Sequence, residues 1–144
     1  MSAGLEAGLV ANVTCVALER RGVLIRGAPG SGKSSLALAL IDRGAILVGD
    51  DGVILSRVDG SVRASPPPRI AGHLEIRNVG IVRVPVSDAL IAIVLDLVDS
   101  APRLPDGADI CEVAGVAIPR LALYPDAPAL ALRAEWALSR HGLA

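Results

Sequence analysis

The sequence predicts an α/β fold in which a mixed β-sheet with flanking helices is built around a phosphate-binding loop. Residues 27–34 read Gly-Ala-Pro-Gly-Ser-Gly-Lys-Ser and match the pattern G-x-x-x-x-G-K-[ST]. A strand-like segment, 22–26, precedes them, and an aliphatic helical segment, 35–43, follows. This setting matters because the N–H groups of the loop and the helix N-terminus must face the same anion. Most other apolar segments are short and rich in Val, Leu and Ile, which favours strands.

Lys33 strengthens the prediction of a phosphate site. It is the only lysine among the 14 basic residues of the chain, and the other thirteen are arginines. A lysine ammonium is compact and sits on a flexible stem, so it can reach between phosphate groups. The sequence therefore keeps lysine at the position where the phosphate-loop motif requires it.

Length and composition predict one domain with an aliphatic core. A chain of 144 residues buries roughly 68–70% of the surface that its unfolded form exposes. Apolar residues make up 52% of the chain, but the aromatic residues are only Tyr124 and Trp136. With so few stacking side chains and a formal net charge of −1, the sequence argues against a nucleic-acid partner. Any bound anion is expected to be held by a local site.

The ends, the cysteines and the apolar segments predict a cytoplasmic protein. Residues 1–8 show no periodicity and are predicted to be a loose terminus, which leaves 9–144 as one domain. Cys15 and Cys111 lie far apart without a C-x-x-C pattern or a histidine cluster, so both are predicted to be buried thiols. The longest apolar run, 89–95, is too short for a membrane span, and no export signal is visible.

The elements of the first half follow from their apolar patterns. The sequence predicts a strand over 9–18, a polar turn at 19–22, a strand over 23–26, a helix over 33–42 stopped by Gly44, and a strand over 45–48. Asp50 and Asp51 follow the last of these strands. If the strands at 23–26 and 45–48 run parallel, the two carboxylates lie at the same sheet edge as the phosphate loop.

The second half is predicted to add a hairpin, several strands and a final helix. The predicted elements are a hairpin over 53–57 and 61–64, a stiff proline loop at 65–69, strands over 82–86, 90–97, 111–114 and 117–123, and a helix over 126–141 with Asp126 as N-cap. The strand at 90–97 is apolar enough to be central in the sheet. Residues 73–81 mix apolar and charged side chains in a way that burial alone does not explain.

A phosphate loop that performs transfer chemistry also needs a magnesium ligand and a group that activates the nucleophile. Ser34 is the loop hydroxyl for Mg²⁺, and Asp50, Asp51 or Glu75 could supply further oxygen ligands. Adjacent carboxylates after a strand rarely face the same way. One of the pair could therefore hold metal or water while the other acts as a general base.

Positive charge is needed to offset the charge that develops on the transferred phosphoryl group. Arg77 and Arg103 are the candidates for this role. Asp96 and Asp99, which come after the apolar run 90–95, are rival acidic positions, because a hydrophobic strand ending in Asp also resembles the second motif of nucleotide sites. Spacing alone does not decide between the two acidic pairs.

Several segments together resemble the C-terminal catalytic domain of HPr kinase/phosphorylase, most closely its short alphaproteobacterial forms. These segments are 27–34, Leu-Val-Gly-Asp-Asp at 47–51, Ala-Ser-Pro-Pro at 64–67 and Leu-Glu-Ile-Arg-Asn-Val-Gly-Ile at 74–81. The last segment, together with the double Asp, is far more specific than the loop. The resemblance implies a P-loop kinase-like fold related to the phosphoenolpyruvate carboxykinase type. It also implies an oligomeric enzyme that uses ATP and Mg²⁺ to phosphorylate a serine of HPr, a phosphocarrier of the phosphotransferase system.

The resemblance also implies roles for individual residues. ATP would be bound by Gly27, Ala28, Pro29, Gly30, Ser31, Gly32, Lys33 and Ser34. Ser34 and Glu75 would ligate Mg²⁺, with Asp50 beside them, and Asp51 would accept the proton of the substrate serine. Glu75, Arg77 and Gly80 would belong to a segment that serves both the forward reaction and phosphorolysis. Arg103 would be the catalytic arginine.

Three positions depart from the family pattern. Asn12 stands where the family usually has a histidine, Ser35 replaces a commonly acidic residue, and 124–128 replaces a Gly-Arg loop that is tied to phosphorolysis. These departures favour kinase activity without phosphorolysis. They also motivate an alternative, a nucleotide-binding sensor or regulatory module that has lost transfer chemistry. A small-molecule P-loop kinase is less favoured because the chain lacks an Arg-rich, lid-like insertion.

Overall fold

The computed structural model describes residues 3–125 and 128–144. Within these residues the chain forms eleven strands, two α-helices and one 3₁₀ turn. In chain order they are β1 (Gly8–Ala11), β2 (Thr14–Leu18), β3 (Arg21–Gly27), α1 (Lys33–Asp42), β4 (Ile46–Gly49), β5 (Gly52–Val58), β6 (Ser61–Ser65), the 3₁₀ turn (Pro68–Ile70), β7 (His73–Ile76), β8 (Gly80–Arg83), β9 (Ala89–Leu97), β10 (Asp109–Val113), β11 (Val116–Leu123) and α2 (Leu130–His141). The predicted mixed α/β architecture is confirmed.

Nine of these strands form one mixed sheet, and β7 and β8 form a separate two-stranded sheet. The main path runs β1-β5-β6-β9-β3-β2-β4, and β11 with its partner β10 joins at β9. β9 pairs in parallel with β3 and β11 and antiparallel with β6. The strand that the sequence predicts to be central is therefore central. Eight of its nine residues are buried, which explains its continuous apolar run.

The chain order around α1 brings two strand ends to one edge of the sheet. β2 is antiparallel to both β3 and β4 and lies between them, so β3 and β4 run in the same direction. The phosphate loop follows the carboxyl end of β3, and Asp50 follows the carboxyl end of β4. The predicted placement of the loop and the carboxylates at one sheet edge is confirmed.

Two apolar clusters cover opposite faces of the sheet. The first cluster packs α1 and α2 on the sheet, with Leu36 and Leu40 of α1 and Ala134 of α2 fully buried. The second contains both cysteines, and Cys15 and Cys111 are free thiols with no exposed surface. This agrees with the prediction that they act as small hydrophobes.

Two predictions about the N-terminal segment are wrong. The single strand predicted over 9–18 is two strands, because Asn12 has a left-handed backbone with φ of 64° and ends the pairing of β1 with β5. Residues 1–8 are not uniformly loose. Leu5 bridges to Val113, its N–H donates to the carbonyl of Glu112 at 2.9 Å, and its side chain packs on the second cluster. The apolar side chain of Leu5 is held in place because it packs against the second cluster.

Later segments differ from the predictions at their ends. The final helix begins at Leu130 with Ala129 as its N-cap residue, and the predicted cap Asp126 lies outside the described residues. The predicted proline loop at 65–69 overlaps a 3₁₀ turn, Pro68–Ile70. Proline is tolerated there because it stands in the first turn. Among the described residues, neither α1 nor α2 is long and apolar enough to cross a membrane.

Candidate functional site

The phosphate loop connects β3 to α1 through two left-handed glycines. Gly30 has φ of 80° and Gly32 has φ of 103°, a region that side-chain-bearing residues rarely enter. The N–H of Leu36 donates to the carbonyl of Gly32 at 2.9 Å, so α1 begins at the end of the loop. A Cβ on Gly27 would lie 2.4 Å from Ser31 Oγ, so the loop needs glycine there to hold Ser31.

The lysine of the loop is held close to the loop backbone. Lys33 Nζ donates to the carbonyls of Gly27 and Ala28 at 2.8 and 3.2 Å, which places the ammonium over the loop. Ser31 Oγ is buried and has no hydrogen-bond partner in the described part of the chain, and it lies on the Gly27 side of the loop. The groups that fit a polyphosphate are therefore the glycine backbone, Lys33 and the N-terminus of α1.

Asp50 joins three parts of the site. Its Oδ1 accepts hydrogen bonds from Ser34 Oγ at 2.6 Å and from Thr14 Oγ1 at 3.0 Å. Its Oδ2 accepts one from the backbone N–H of Glu75 at 3.2 Å. The carboxylate thus links the loop, β2 and β7, and its orientation is fixed by three donors.

Asp51 follows Asp50 in a left-handed conformation, with φ of 62°. Its carbonyl accepts a hydrogen bond from the N–H of Asn12 at 3.2 Å. Asn12 therefore lies beside Asp51. The side chain of Asp51 is exposed, whereas Asp50 is half-buried. Both aspartates nevertheless line the same cavity.

The cavity has a volume of about 380 Å³. The loop and Asp50 line one side of it, and the β7–β8 hairpin lines another. The lining residues are Thr14, Pro29, Gly30, Gly32, Lys33, Ser34, Ser35, Asp50, Asp51, Ile70, His73, Glu75, Arg77 and Ile81. The structure thus brings together Lys33, Ser34, both aspartates, Glu75 and Arg77, as the sequence predicts.

The β7–β8 hairpin carries the segment that is specific to the resemblance. Glu75 and Arg77 are exposed on the cavity side, and Gly80, with φ of 134°, pairs with Ile76 where the hairpin closes. His73 also lines the cavity, and its Nε2 accepts a hydrogen bond from Arg83 at 3.0 Å. Glu75 is therefore offered to the cavity from an element that is not part of the main sheet.

Arg103 lies outside this cavity. It lines a second groove, of about 650 Å³, together with Asp99, Tyr124 and Trp136. The predicted role of Arg103 as a catalytic arginine stays a prediction. Trp136 is 72% exposed and is therefore not part of the core.

Asp96 forms ion pairs with two arginines. Its carboxylate accepts hydrogen bonds from Arg26 at 2.7 and 2.8 Å and from Arg120 at 2.7 Å. Burial opposes the ionised form of Asp96, but the two guanidinium groups outweigh burial and hold its pKa below the ordinary value. Asp96 therefore supports the sheet beneath the loop. Of the rival acidic positions, only Asp50 and Asp51 line the cavity.

Thr14 and His73 line the cavity, although the sequence does not predict either of them there. Thr14 begins a largely apolar strand. Its closeness to the site depends on the order of strands in the sheet, which the sequence does not show. His73 stands in the unusual segment 73–81, whose mixed composition is a signal that could have identified it.

Oxygen ligands at the cavity suit a hard cation that is shared with a substrate. In the described part of the chain no group of three or more His, Cys, Asp or Glu side chains is arranged to hold a metal ion. Ser34, Asp50 and Glu75, whose side chains carry oxygen atoms, line the same cavity. This donor set fits Mg²⁺, which usually takes one or two protein ligands together with water and substrate phosphates.

The family model described as the HPr Serine kinase C-terminal domain matches residues 8–94. The chain belongs to this family. The HPr kinase model covers the phosphate loop, both aspartates and the β7–β8 hairpin, so the described cavity is built from matched residues.

Curated relatives and a solved structure agree with membership of the HPr kinase family. HPr kinase/phosphorylase of Clostridium novyi (strain NT) is 47% identical over 64 residues, which are 44% of this chain and 21% of that protein. The enzyme of the same name from Streptococcus gordonii is 40% identical over an alignment of 114 residues, which covers 69% of this chain and 37% of that protein. The match therefore spans about a fifth to two fifths of these relatives.

The structure of the Hpr(Ser) kinase/phosphatase from Coxiella burnetii has the same fold. It is similar with a TM-score of 0.79 and 27% sequence identity, over 91% of this chain and 93% of that chain. The likeness thus covers more of the chain than the matched residues 8–94.

Proposed function

We propose that this chain is an ATP- and Mg²⁺-dependent protein-serine kinase that phosphorylates HPr or an HPr-like phosphocarrier protein. The observation that carries the proposal is the 2.6 Å hydrogen bond between the loop hydroxyl of Ser34 and Asp50, beside the exposed carboxylate of Asp51 in the same cavity. The residues that we assign to phosphate binding, to Mg²⁺ and to proton transfer line one cavity, which supports the proposal. Membership of the HPr kinase family supports the choice of acceptor.

The loop and Lys33 would hold the phosphates of ATP. The backbone N–H groups of the loop and the N-terminus of α1 favour negative charge, and Lys33 would contact the β- and γ-phosphates. Ser34 and Glu75 would hold Mg²⁺. Asp50 would accept the hydrogen bond that Ser34 Oγ donates, which leaves the lone pairs of the hydroxyl for the ion. When bound, the ion neutralises charge on the phosphates.

Asp51 would act as the general base. As the serine oxygen of the acceptor bonds to the γ-phosphorus of ATP, the bond to the β-phosphate oxygen breaks and ADP leaves. The serine proton passes to the carboxylate of Asp51, which is exposed and free to meet a protein substrate. Arg77, at the cavity, would offset charge on the transferred group.

Asp51→Asn tests this role of Asp51. Asparagine keeps the size but cannot accept the proton, so transfer of ³²P from ATP to purified HPr should fall by about 10²–10⁴-fold. Binding of a fluorescent ATP analogue should change little. Asp59→Asn is the matched control, because Asp59 also has a left-handed backbone, with φ of 51°, but lies in the β5–β6 turn. An Asp51→Asn variant that transfers phosphate normally would remove Asp51 from the mechanism.

A regulatory module without transfer chemistry is the second candidate. It is favoured by Asn12, which lies beside Asp51 where the family has an imidazole, and by the position of Arg103 in another groove. This candidate predicts nucleotide binding without any phosphoprotein product. Mass spectrometry of the organism's own HPr homologue after incubation with ATP and Mg²⁺ separates the two functions.

The proposal extends to the surroundings of the enzyme. We place it in the cytoplasm, as a homo-oligomer that acts on a phosphotransferase-system protein and on no nucleic acid. Phosphorolysis is not part of the proposal, because 124–128 departs from the Gly-Arg loop of the family. Sedimentation of the purified chain tests self-association, and incubation of phosphorylated HPr with inorganic phosphate tests the reverse reaction.

A further inference from the structure

We propose that Thr14 is a positioning residue for the magnesium side of the nucleotide site. Thr14 exposes 1% of its surface, and among the described residues Asp96 is the only other buried polar or charged one. Its Oγ1 donates to Asp50 Oδ1 at 3.0 Å. Buried hydroxyls are retained where they have a defined partner. Here the partner is the carboxylate that binds the loop serine.

Thr14 acts through Asp50 on Ser34. Both hydroxyls donate to the same oxygen, Oδ1, at 3.0 and 2.6 Å. The direction of the Asp50 carboxylate therefore sets the direction of the Ser34 proton, and the lone pairs of Ser34 are left for a cation. The terminal torsion of an aspartate is broad, so the carboxylate needs an external group to fix it. Thr14 supplies that group from the interior.

The strand order explains why residue 14 can do this. Thr14 pairs with Ile25 of β3, two residues before the loop, and the next residue, Cys15, pairs with Gly49 of β4, immediately before Asp50. A side chain at position 14 therefore lies between the two strand ends that form the site. Asn12 supports Asp51 through its N–H, so the short segment 12–14 supports both carboxylate residues.

The inference rests on the proposed function, since it concerns Mg²⁺ and a nucleotide. Thr14→Val removes the hydroxyl and keeps the volume. We expect it to raise the Mg²⁺ concentration needed for half-maximal stimulation of nucleotide binding by about tenfold, the lower end of losses when outer partners of metal ligands are removed. Nucleotide affinity without Mg²⁺ should stay unchanged. Thr14→Ser keeps the hydroxyl and should restore the magnesium dependence.

The experiment is a titration of a fluorescent ATP analogue with and without Mg²⁺, on the whole chain. Cys15→Ala is the matched control, because Cys15 is buried in the same strand but packs in the second cluster. It should lower the melting temperature and leave the magnesium dependence as in the wild type. Thr14→Ala replaces Thr14→Val if valine prevents folding.

Three results would overturn the inference alone. They are a wild-type magnesium dependence in Thr14→Val, an equal loss of affinity with and without Mg²⁺, and a Thr14→Ser variant that behaves like Thr14→Val. Wild-type protein that binds nucleotide with Mg²⁺ but transfers nothing to HPr refutes the proposed kinase, and the same titration still decides about Thr14. Wild-type protein without magnesium-stimulated binding overturns both.

Discussion

At the scale of single residues, the two adjacent carboxylates have different surroundings. Asp50 is half-buried and receives three hydrogen bonds, from Ser34, Thr14 and the backbone of Glu75. Asp51 is exposed, and its side chain is left for chemistry at the mouth of the cavity. A carboxylate that accepts hydrogen bonds on both oxygens is held in one orientation. This suits Asp50 to organising a metal ligand and Asp51 to meeting a substrate.

Asp96 carries a prediction about stability and pH. It is 8% exposed and paired with Arg26 and Arg120. Asp96→Asn therefore removes the carboxylate partner of Arg26 and leaves Arg120 with only the exposed Asp109. We expect a loss of about 3 kcal/mol in the free energy of unfolding at pH 7. Urea unfolding measures it. Asp88→Asn is the control, because Asp88 pairs with Arg63 at the exposed surface and such pairs contribute about 0–1 kcal/mol.

The pH dependence follows from the lowered pKa of Asp96. A carboxyl group with a lower pKa in the folded state stabilises the fold above its unfolded pKa, which is near 3.8, and loses this contribution as pH falls through the folded pKa. The difference between wild type and Asp96→Asn should be constant from pH 7 to about 5 and shrink below pH 3.8. A difference that grows on acidification would contradict this assignment.

At the scale of elements, the turn from β4 to β5 places both aspartates. β4 ends at Gly49, β5 begins at Gly52, and Asp50 and Asp51 are the two residues between them. The backbone passes so close to itself that a Cβ on Gly49 would lie 2.1 Å from the carbonyl oxygen of Gly52 and 2.9 Å from Val53 Cγ1. Together with the left-handed Asp51, this tightness directs both carboxylate residues to the cavity.

Gly49→Ala should therefore damage both fold and site. The nearest obstacle is backbone, which cannot rotate away, so we expect a loss of about 3 kcal/mol in the free energy of unfolding. Displacement of Asp50 should also weaken magnesium-stimulated nucleotide binding at temperatures where the variant is folded. Gly107→Ala is the control, because a Cβ there meets open space and surface changes stay within about 0.5 kcal/mol. Equal stability of the two variants would show that the turn is not tight.

At the scale of the whole molecule, the residues with predicted catalytic roles lie in two separate places. The loop, both aspartates and the β7–β8 hairpin surround one cavity, whereas Arg103 and the two aromatic residues line a groove beside α2. The family model ends at residue 94, before the groove-forming loop and α2. The matched region thus holds the whole lining of the cavity, together with two of the three departures from the family pattern, Asn12 and Ser35. The third departure, at 124–128, falls outside it.

Trp136 is a reporter of this separation. It is the only tryptophan in the chain and is 72% exposed, so its fluorescence should be close to that of indole in water and readily quenched by acrylamide. Because it lines the α2 groove, saturating ATP and Mg²⁺ should leave its emission unchanged while a fluorescent ATP analogue reports binding. Emission that saturates with nucleotide would place the groove and the cavity in contact. Sedimentation under the same conditions identifies any protection of Trp136 by a second chain.

Local chemistry explains what the sequence by itself determined. The loop 27–34, α1 over 33–42, the central strand at 90–97 and the buried cysteines follow from glycine positions, helix-forming residues and continuous apolar runs, which act over neighbouring residues. The loop and the double Asp also indicated one sheet edge, because β-α-β connectivity constrains where strand ends lie. Those features required no knowledge of distant contacts.

Only the tertiary structure decided which residues meet. Five features depend on contacts between residues that are far apart in the chain. They are the break at Asn12, the pairing of Leu5, the position of Asp50 and Asp51 rather than Asp96 at the cavity, the place of Arg103, and the contact of Thr14 with Asp50. Asp96 and Asp50 each come after a run of apolar residues, and the sequence does not tell them apart. Strand order does, because it places Arg26 and Arg120 against one carboxylate and Ser34 and Thr14 against the other.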